Sequence, residues 1–278
     1  MSDAKTKYAN LQAELKQLGR VLVAFSGGVD SSFLLKAAMD TLGKDNCLAV
    51  MGVSPSLSAQ QHNQAKDVAQ RVDAKLLEVD VHEIEDPNYA ANQADRCFHC
   101  KTHLFKKLRS VGQEHGFECI VCGNNLDDQG DYRPGQQAGK NLGVLSPLMS
   151  AELTKVEIRQ LSRDLHLPTA DLPASPCLSS RLAYGLEVTI ERLGQVEKAE
   201  ALLRELGFKE FRVRHHDKVA RIECHPGDMS KLIKDSVRNQ IVRSFQEWGF
   251  QFVTVDLQGF RSGALNAMIS AKEKEPYQ

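Results

Sequence analysis

Apolar and polar positions in the first half of the chain alternate between two periods. Short apolar runs at 20–25, 47–53, 75–81 and 118–122 read as strands buried on both faces. Between them, stretches with the 3.6-residue period predict helices over about 4–18, 30–43 and 98–115, and another opening at Ser58. Ser58 and Gln61 have the spacing of a capping box. So do Thr154 and Glu157, which start a helix ending near Leu165. Alternating strands and helices predict an α/β architecture, a doubly wound parallel sheet with any ligand at the C-terminal ends of its strands.

From about residue 188 the pattern changes. A helix over 190–206, strands at 210–214 and 219–223 around a turn at Asp217–Lys218, a helix near 227–247 and a strand at 251–256 follow one another. This α-β-β-α-β order predicts a smaller C-terminal α+β domain. The Pro-rich stretch 167–184 reads as the connection. The expected division is a first domain over 1–170, a linker over 171–187 and a second domain over 188–278.

Composition narrows the possibilities without deciding among them. With 278 residues, 42% hydrophobic and 26% charged, the chain has ample material for a core. A net charge of −1 supplies no global basic field, so nucleic acid is not an expected partner, although a local patch would suffice. The first twenty residues are charged throughout, and no stretch approaches the roughly 20 apolar residues that span a bilayer. The expectation is a cytoplasmic protein with no membrane partner. Seven cysteines in such a compartment point to metal, redox or core use rather than a disulfide scaffold.

The densest chemistry lies in VLVAFSGGVDSS, residues 21–32. A strand that turns on Gly27 and Gly28 into a helix start presents backbone N–H groups and the positive end of a helix dipole to an anion. Ser26, Ser31 and Ser32 add hydroxyls. A Walker A loop needs a lysine at its end, and none stands here. The loop resembles instead the pyrophosphate-binding (PP) loop of adenylating ATP pyrophosphatases, which release pyrophosphate and leave AMP on the substrate. The plain alternative is a glycine-rich turn without a ligand. The expected nucleotide contacts are Ala24, Ser26, Gly27, Gly28, Val29, Asp30, Ser31, Ser32 and Gly123. Asp30, inside the cradle, is the first candidate for Mg²⁺ and for a catalytic role. Asn124, Asp127, Asp128 and Asp131 form a second acidic loop, which either holds Mg²⁺ or is merely solvated.

Cys97 and Cys100 lie three apart at a helix start and share one face, so they suit a single metal centre. Cys119 and Cys122 have the same spacing in a strand, where they point to opposite faces and read as core. Cys47 and Cys224 read as core too. Cys177 sits in a loop of small and polar residues, ASPCLSSR, with no core periodicity. Three thiolates, Cys97, Cys100 and Cys177, would hold three irons of a [4Fe–4S] cluster and leave the fourth open. A zinc site completed by His99 or His103 is the alternative. In the second domain Arg212, Arg214 and His216 share a strand face, with Arg181 a further candidate. They offer forks for phosphate or carboxylate, or else pair with Asp217, Asp228 or Glu223.

Taken in order, AFSGGVDSS, GNNLDDQGDYRPG, LTKVEIRQLSRDLHLPTADLPASPCLSSR, FRVRHHDKVARIE and DLQGFRSGALN resemble the LarE family of ATP-dependent sulfur transferases, which act in nickel-pincer nucleotide biosynthesis for lactate racemase maturation. The likeness covers nearly the whole chain. It implies that a carboxylate of pyridinium-3,5-biscarboxylic acid mononucleotide is adenylated with loss of pyrophosphate. A sulfur nucleophile then displaces AMP to leave a thiocarboxylate, and the second carboxylate is treated likewise. Some members sacrifice one cysteine as the sulfur source; others carry three cysteines and an iron–sulfur cluster. The CFHC motif together with Cys177 resembles the second type, which makes Cys177 a ligand. The resemblance further implies that Ser180, Arg181, Arg212 and Arg214 hold the substrate's phosphate or carboxylates. It implies partners among the other nickel-pincer biosynthesis proteins, sulfide or another sulfur donor, and a homo-oligomer, hexameric or trimer-based, built through the second domain. A tRNA thiolase with the same loop and cysteine triad is the nearest rival, but it predicts a basic surface that this chain lacks. An amidotransferase-like synthetase, or a non-catalytic nucleotide sensor, would leave the triad without a task.

Overall fold

The computed structural model describes residues 2–129, 133–261 and 263–270. Within them the chain forms two compact units, one of residues 2–83 and 97–175, the other of 84–96 and 176–270.

In the first unit β1 (Val21–Ala24), β2 (Cys47–Val53), β3 (Leu76–Asp80) and β4 (Cys119–Cys122) form a parallel sheet in the order β3-β2-β1-β4. Val21 pairs with Cys47 on one side and Cys119 on the other. The chain runs outward from β1 to β3 and then returns to the far side of β1. The C-terminal ends of β1 and β4 therefore flank the point where the winding reverses, the place where open α/β sheets bind ligands. Helices α1 (Ser2–Leu18), α2 (Val29–Leu42), α3 (Ala59–Arg71), α4 (Arg96–His115), α5 (Pro134–Asn141) and α6 (Lys155–Asp164) complete the unit, except that Arg96 itself groups with the second unit.

Strand alternation divides the apolar side chains into two layers. Val21, Val23, Cys47 and Ala49 join Leu11, Phe33 and Leu34 on one face. Leu22, Leu48, Val50 and Ile120 join Phe105 and Leu108 of α4 on the other. Cys119 packs with the first layer and Cys122 with the second, as a three-residue step along a strand requires. The thiol of Cys47 is pushed up to about 12 by burial, so it is inert at neutral pH. Of the two expected capping boxes, Ser58–Gln61 forms only its N-cap half, and Thr154–Glu157 forms completely. Ser58 Oγ accepts from Gln61 N at 3.2 Å, and Thr154 and Glu157 make a reciprocal box. Glu157 also binds Lys7 of α1 at 2.9 Å.

In the second unit β5 (Phe211–His216) and β6 (Val219–Cys224) pair antiparallel, and β7 (Phe252–Val255) adds parallel to β6. Helices α7 (Ile190–Glu205) and α8 (Asp235–Glu247) supply Leu203, Ile241 and Phe245 to a core with Phe208, Val213, Ile222 and Phe250. The helix expected near 227–247 is interrupted. A single turn at Met229–Leu232 ends there, and Lys234 takes an extended backbone (φ −61°, ψ 134°) as the N-cap of α8. No helix among the described residues is long and apolar enough to cross a membrane.

Candidate functional site

The turn after β1 is built around Gly27. Its φ of +70° favours glycine, and a Cβ there would stand 2.6 Å from Ala65 Cα, so only glycine lets α3 approach this closely. Gln64 of α3 donates to Gly27 O at 2.7 Å. Gly28 is the N-cap of α2 and offers no side-chain cap, which leaves the first N–H groups of the helix for an anion. Inside the turn Ser26 Oγ and Ser31 Oγ are 3.0 Å apart, and Ser31 Oγ also receives Ser26 N at 3.3 Å. Ser32 is fully buried and its Oγ has no hydrogen-bond partner among the described residues. The side chain of Val29 lies in the core, so this residue faces the cradle only through its backbone. Gly123, one residue past β4, brings that strand end against α2; a Cβ there would lie 2.9 Å from Ser31 N. Ala24 closes β1 just before the turn.

Asp30, in the first turn of α2, is held from two distant segments. Asn125 Nδ2 donates to its Oδ1 at 3.2 Å, and Lys155 Nζ lies 2.5 Å from its Oδ2. Asn125 also caps the short turn Leu126–Asp128, accepting from Asp127 N while its own N–H donates to Asp128 Oδ2. Asp127 Oδ2 accepts from Lys155 N, and Asp128 Oδ1 pairs with Arg133 at 2.8 Å. Burial raises the carboxyl pKa of Asp128 despite its bonds to Asn125 and Arg133. Asp127 and Asp128 are thus engaged in building the loop. Asn124 turns instead to Cys122 Sγ and Ser146 Oγ, and Asp131 lies outside the described residues. Mg²⁺ is commonly held by one or two carboxylates, phosphate oxygens and water. Asp30 fits that role. Lys155 brings to the loop the cation that its own sequence lacks.

Cys97 and Cys100 are both half-buried in the first turn of α4. Among the described residues no three His, Cys, Asp or Glu side chains converge as metal ligands. Cys177, in the second unit, is half-buried and precedes the tight turn Leu178–Arg181. Its carbonyl accepts from Ser180 N at 3.0 Å, Ser180 Oγ at 2.7 Å and Arg181 Nη1 at 3.0 Å.

The arginines of that unit are sorted by their partners. Arg181 makes a bidentate pair with Glu200 at 3.0 Å and 3.0 Å, and its remaining nitrogen reaches the carbonyls of Pro176 and Cys177. Arg214 donates twice to Glu223 Oε2, at 3.0 and 2.8 Å, and once to Ser180 O. Arg221 reaches Glu223 Oε1 at 3.0 Å and Asp256 at 3.2 Å. Arg212 stacks its guanidinium 5.0 Å over the Phe260 ring. Its pKa is lowered to about 10, first by burial and then by the cations Arg181 and Arg214, against the pull of Glu200 and Glu223.

Pattern reading missed Lys155, Asn125 and Glu200. Lys155 and Asn125 had a local signal in the capping sequences around them, but nothing local connects either to Asp30.

A PP-loop domain model matches residues 1–132. The chain is 42% identical over 266 residues to an uncharacterised protein of Synechocystis, covering 96% of this chain and 99% of that protein. It is 36% identical to the pyridinium-3,5-bisthiocarboxylic acid mononucleotide synthase of Lactiplantibacillus plantarum, with 96% of each chain covered. An uncharacterised protein of Methanocaldococcus jannaschii is 28% identical over 91% of this chain and 95% of its own. With a PP-loop cradle at the head of its sheet and this full-length likeness, the chain belongs to the LarE family of PP-loop synthases.

Proposed function

We propose that the protein adenylates the carboxylates of a pyridinium-3,5-biscarboxylic acid mononucleotide and exchanges them for thiocarboxylates. The observation that carries this reading is the cradle at Ser26–Ser32 with Asp30 and Lys155 set against it. In the first step a substrate carboxylate oxygen bonds to the α-phosphorus of ATP, and the bond to the bridging oxygen of pyrophosphate breaks. The free N–H groups of α2, the hydroxyls of Ser26, Ser31 and Ser32, and the Lys155 ammonium receive the charge that develops on the leaving group. Asp30 would hold Mg²⁺, which supplies Lewis-acid neutralisation of the phosphate oxygens when bound. In the second step hydrosulfide adds to the acyl carbon, AMP leaves with the bonding pair, and loss of the sulfur-bound proton to solvent leaves the thiocarboxylate. Arg212 receives the mononucleotide's phosphate or second carboxylate, with Ser180, Arg181 and Arg214 around it.

Cys97, Cys100 and Cys177 are the proposed ligands of a [4Fe–4S] cluster, which when bound supplies a soft site for the incoming sulfide. The half-buried thiols three residues apart on one helix and the loop-borne third cysteine support this set. A cytoplasmic homo-oligomer, hexameric or trimer-based, working with other nickel-pincer biosynthesis proteins completes the proposal. The exposed apolar side chains of Phe252, Val255 and Leu257 along and just beyond β7 support self-association.

The test is incubation with ATP, Mg²⁺, sulfide and the dicarboxylate mononucleotide, followed by mass spectrometry. Oxygen-to-sulfur exchange with stoichiometric AMP and pyrophosphate is expected. Thiolation of tRNA with no change in the mononucleotide would overturn the reading.

A further inference from the structure

Residues 84–96 leave the first unit's sequence order to join the second, and they grip one short stretch of it. Tyr89 OH lies 2.6 Å from Ser179 Oγ, and both residues are buried. Arg96 Nη1 donates to Ser179 O at 2.8 Å and to Asn92 Oδ1. Asn92 Nδ2 in turn donates to Ala183 O and Leu186 O, each at 2.8 Å. Two backbone bonds, Gly185 N to Asn92 O and Val188 N to Ala90 O, run beside them. Asn92 is fully buried and adopts φ +53°, a conformation that asparagine tolerates better than most residues. The gripped stretch runs from Ser179, in the turn that follows Cys177, to Val188. From its other end the same turn is held by Arg181, itself anchored on Glu200.

This polar brace is more than cohesion requires. Apolar side chains of similar volume would hold a buried loop at least as firmly, whereas a fully bonded polar network fixes one geometry. Ser179, which takes two of the bonds, stands two residues from Cys177. We infer that Tyr89, Asn92 and Arg96 are positioning residues that fix the backbone of the Cys177 turn. The inference deepens the sulfur-transfer reading, and its functional half rests on the role proposed there for Cys177.

The experiment uses the metal-free full-length protein and its Tyr89→Phe and Arg96→Lys variants. Iodoacetamide labelling of Cys177 under native conditions, mapped by peptide mass, reads the turn directly. Pyrophosphate release and thiocarboxylate formation, measured on protein loaded with iron and sulfide, separate the two half-reactions. Tyr89→Phe removes the buried hydroxyl bonded to Ser179 and keeps the ring in the core, so this variant folds even if Arg96→Lys does not. Labelling of Cys177 is expected to rise roughly five- to tenfold, as loss of about one hydrogen bond implies. Pyrophosphate release should hold while thiocarboxylate formation falls. Unchanged labelling in folded Tyr89→Phe protein overturns the inference. Equal loss of both half-reactions also overturns it, because that marks a general structural role. Faster labelling with undiminished sulfur transfer supports the brace and removes instead the proposed role of Cys177.

Discussion

Lys155 Nζ meets Asp30 Oδ2 at 2.5 Å across 125 residues of sequence. The pair joins the first turn of α2 to the first turn of α6, with Asn125 holding the other oxygen of the same carboxylate. A lysine beside the phosphate cradle, but outside its loop, supplies what a Walker A loop carries within its own sequence. Its resting partner is the residue proposed to bind Mg²⁺, so metal entry must draw the carboxylate from the ammonium and leave the ammonium for phosphate.

Lys155→Met is therefore expected to lower kcat/KM for pyrophosphate release by roughly 100-fold or more, the usual cost of one preorganised group at a developing anion. Asp30→Asn should cost at least as much and should shift the Mg²⁺ dependence to higher concentration. Because the two groups act on one another, the double variant should lose less than the product of the single losses. Additive losses in a steady-state double-mutant cycle would separate the two roles.

Gly27 tests the geometry of the cradle. Gly27→Ala puts a methyl 2.6 Å from the backbone of Ala65 in a residue whose φ is +70°. The expected loss is about 2 kcal/mol or more in urea unfolding, from strain and from displacement of α3. Nucleotide affinity should fall as well, and a variant with unaltered midpoint and ATP binding would show that the close approach is dispensable.

The cradle was legible in the sequence because everything that makes it is contiguous: apolar strand, two glycines, serines, helix. The parallel sheet was legible for a similar reason, since buried strands and amphipathic helices each carry their own period. Lys155, Asn125 and Glu200 were not legible. Each acquires its place through a fold that joins residues far apart, and periodicity records only which face is buried. Arg181 shows a further limit. Pattern reading marks a guanidinium near a functional loop, but only packing reveals that its fork rests on Glu200 and its third nitrogen on the loop's own carbonyls. The brace from Tyr89, Asn92 and Arg96 leaves no periodic trace either, because those residues serve a loop nearly ninety positions away, as the separation of 90 for Tyr89 and Ser179 indicates.

Acid should weaken the second unit through His215. This side chain is almost fully buried, packed at a tilt 4.8 Å from the Phe250 ring and bonded to Gln195, and its Nδ1 has no partner among the described residues. Burial, then the nearby Arg192 cation, lowers its pKa from 6.5 to about 4, against the attraction of Asp217. In the unfolded chain the imidazole takes up a proton near pH 6.5, and in the fold it does not until about pH 4. Stability is thus complete above pH 6.5 and falls as pH drops through that window, by about 3 kcal/mol at its foot. His216, also lowered, acts in the same direction. Denaturant unfolding at pH 7 and pH 4.5 measures the difference, and His215→Gln should flatten much of the slope.

Arg181 and Arg212 should respond oppositely to truncation, though both stand in the same charged cluster. Removing Arg181 leaves the buried carboxylate of Glu200 without its bidentate partner, and also takes a donor from the carbonyls of Pro176 and Cys177. Breaking one side of a buried pair costs about 3 to 5 kcal/mol, so Arg181→Ala is expected to unfold the second unit at moderate temperature. Arg212 is under strain of the reverse kind, with its charge disfavoured by burial and by two neighbouring arginines. Its removal costs the fold contacts that include the stacking on Phe260 and the hydrogen bond to Phe211 O, about 1 kcal/mol each, partly offset by relief of that repulsion. What Arg212→Gln should lose is the anion: KM for the mononucleotide should rise about tenfold or more, in line with loss of a charge-assisted hydrogen bond, while ATP affinity stays the same. Calorimetric melting with substrate titration on both variants decides the matter. An Arg212→Gln protein that melts early yet binds substrate normally would reverse the assignment and make Arg212 the structural member of the cluster.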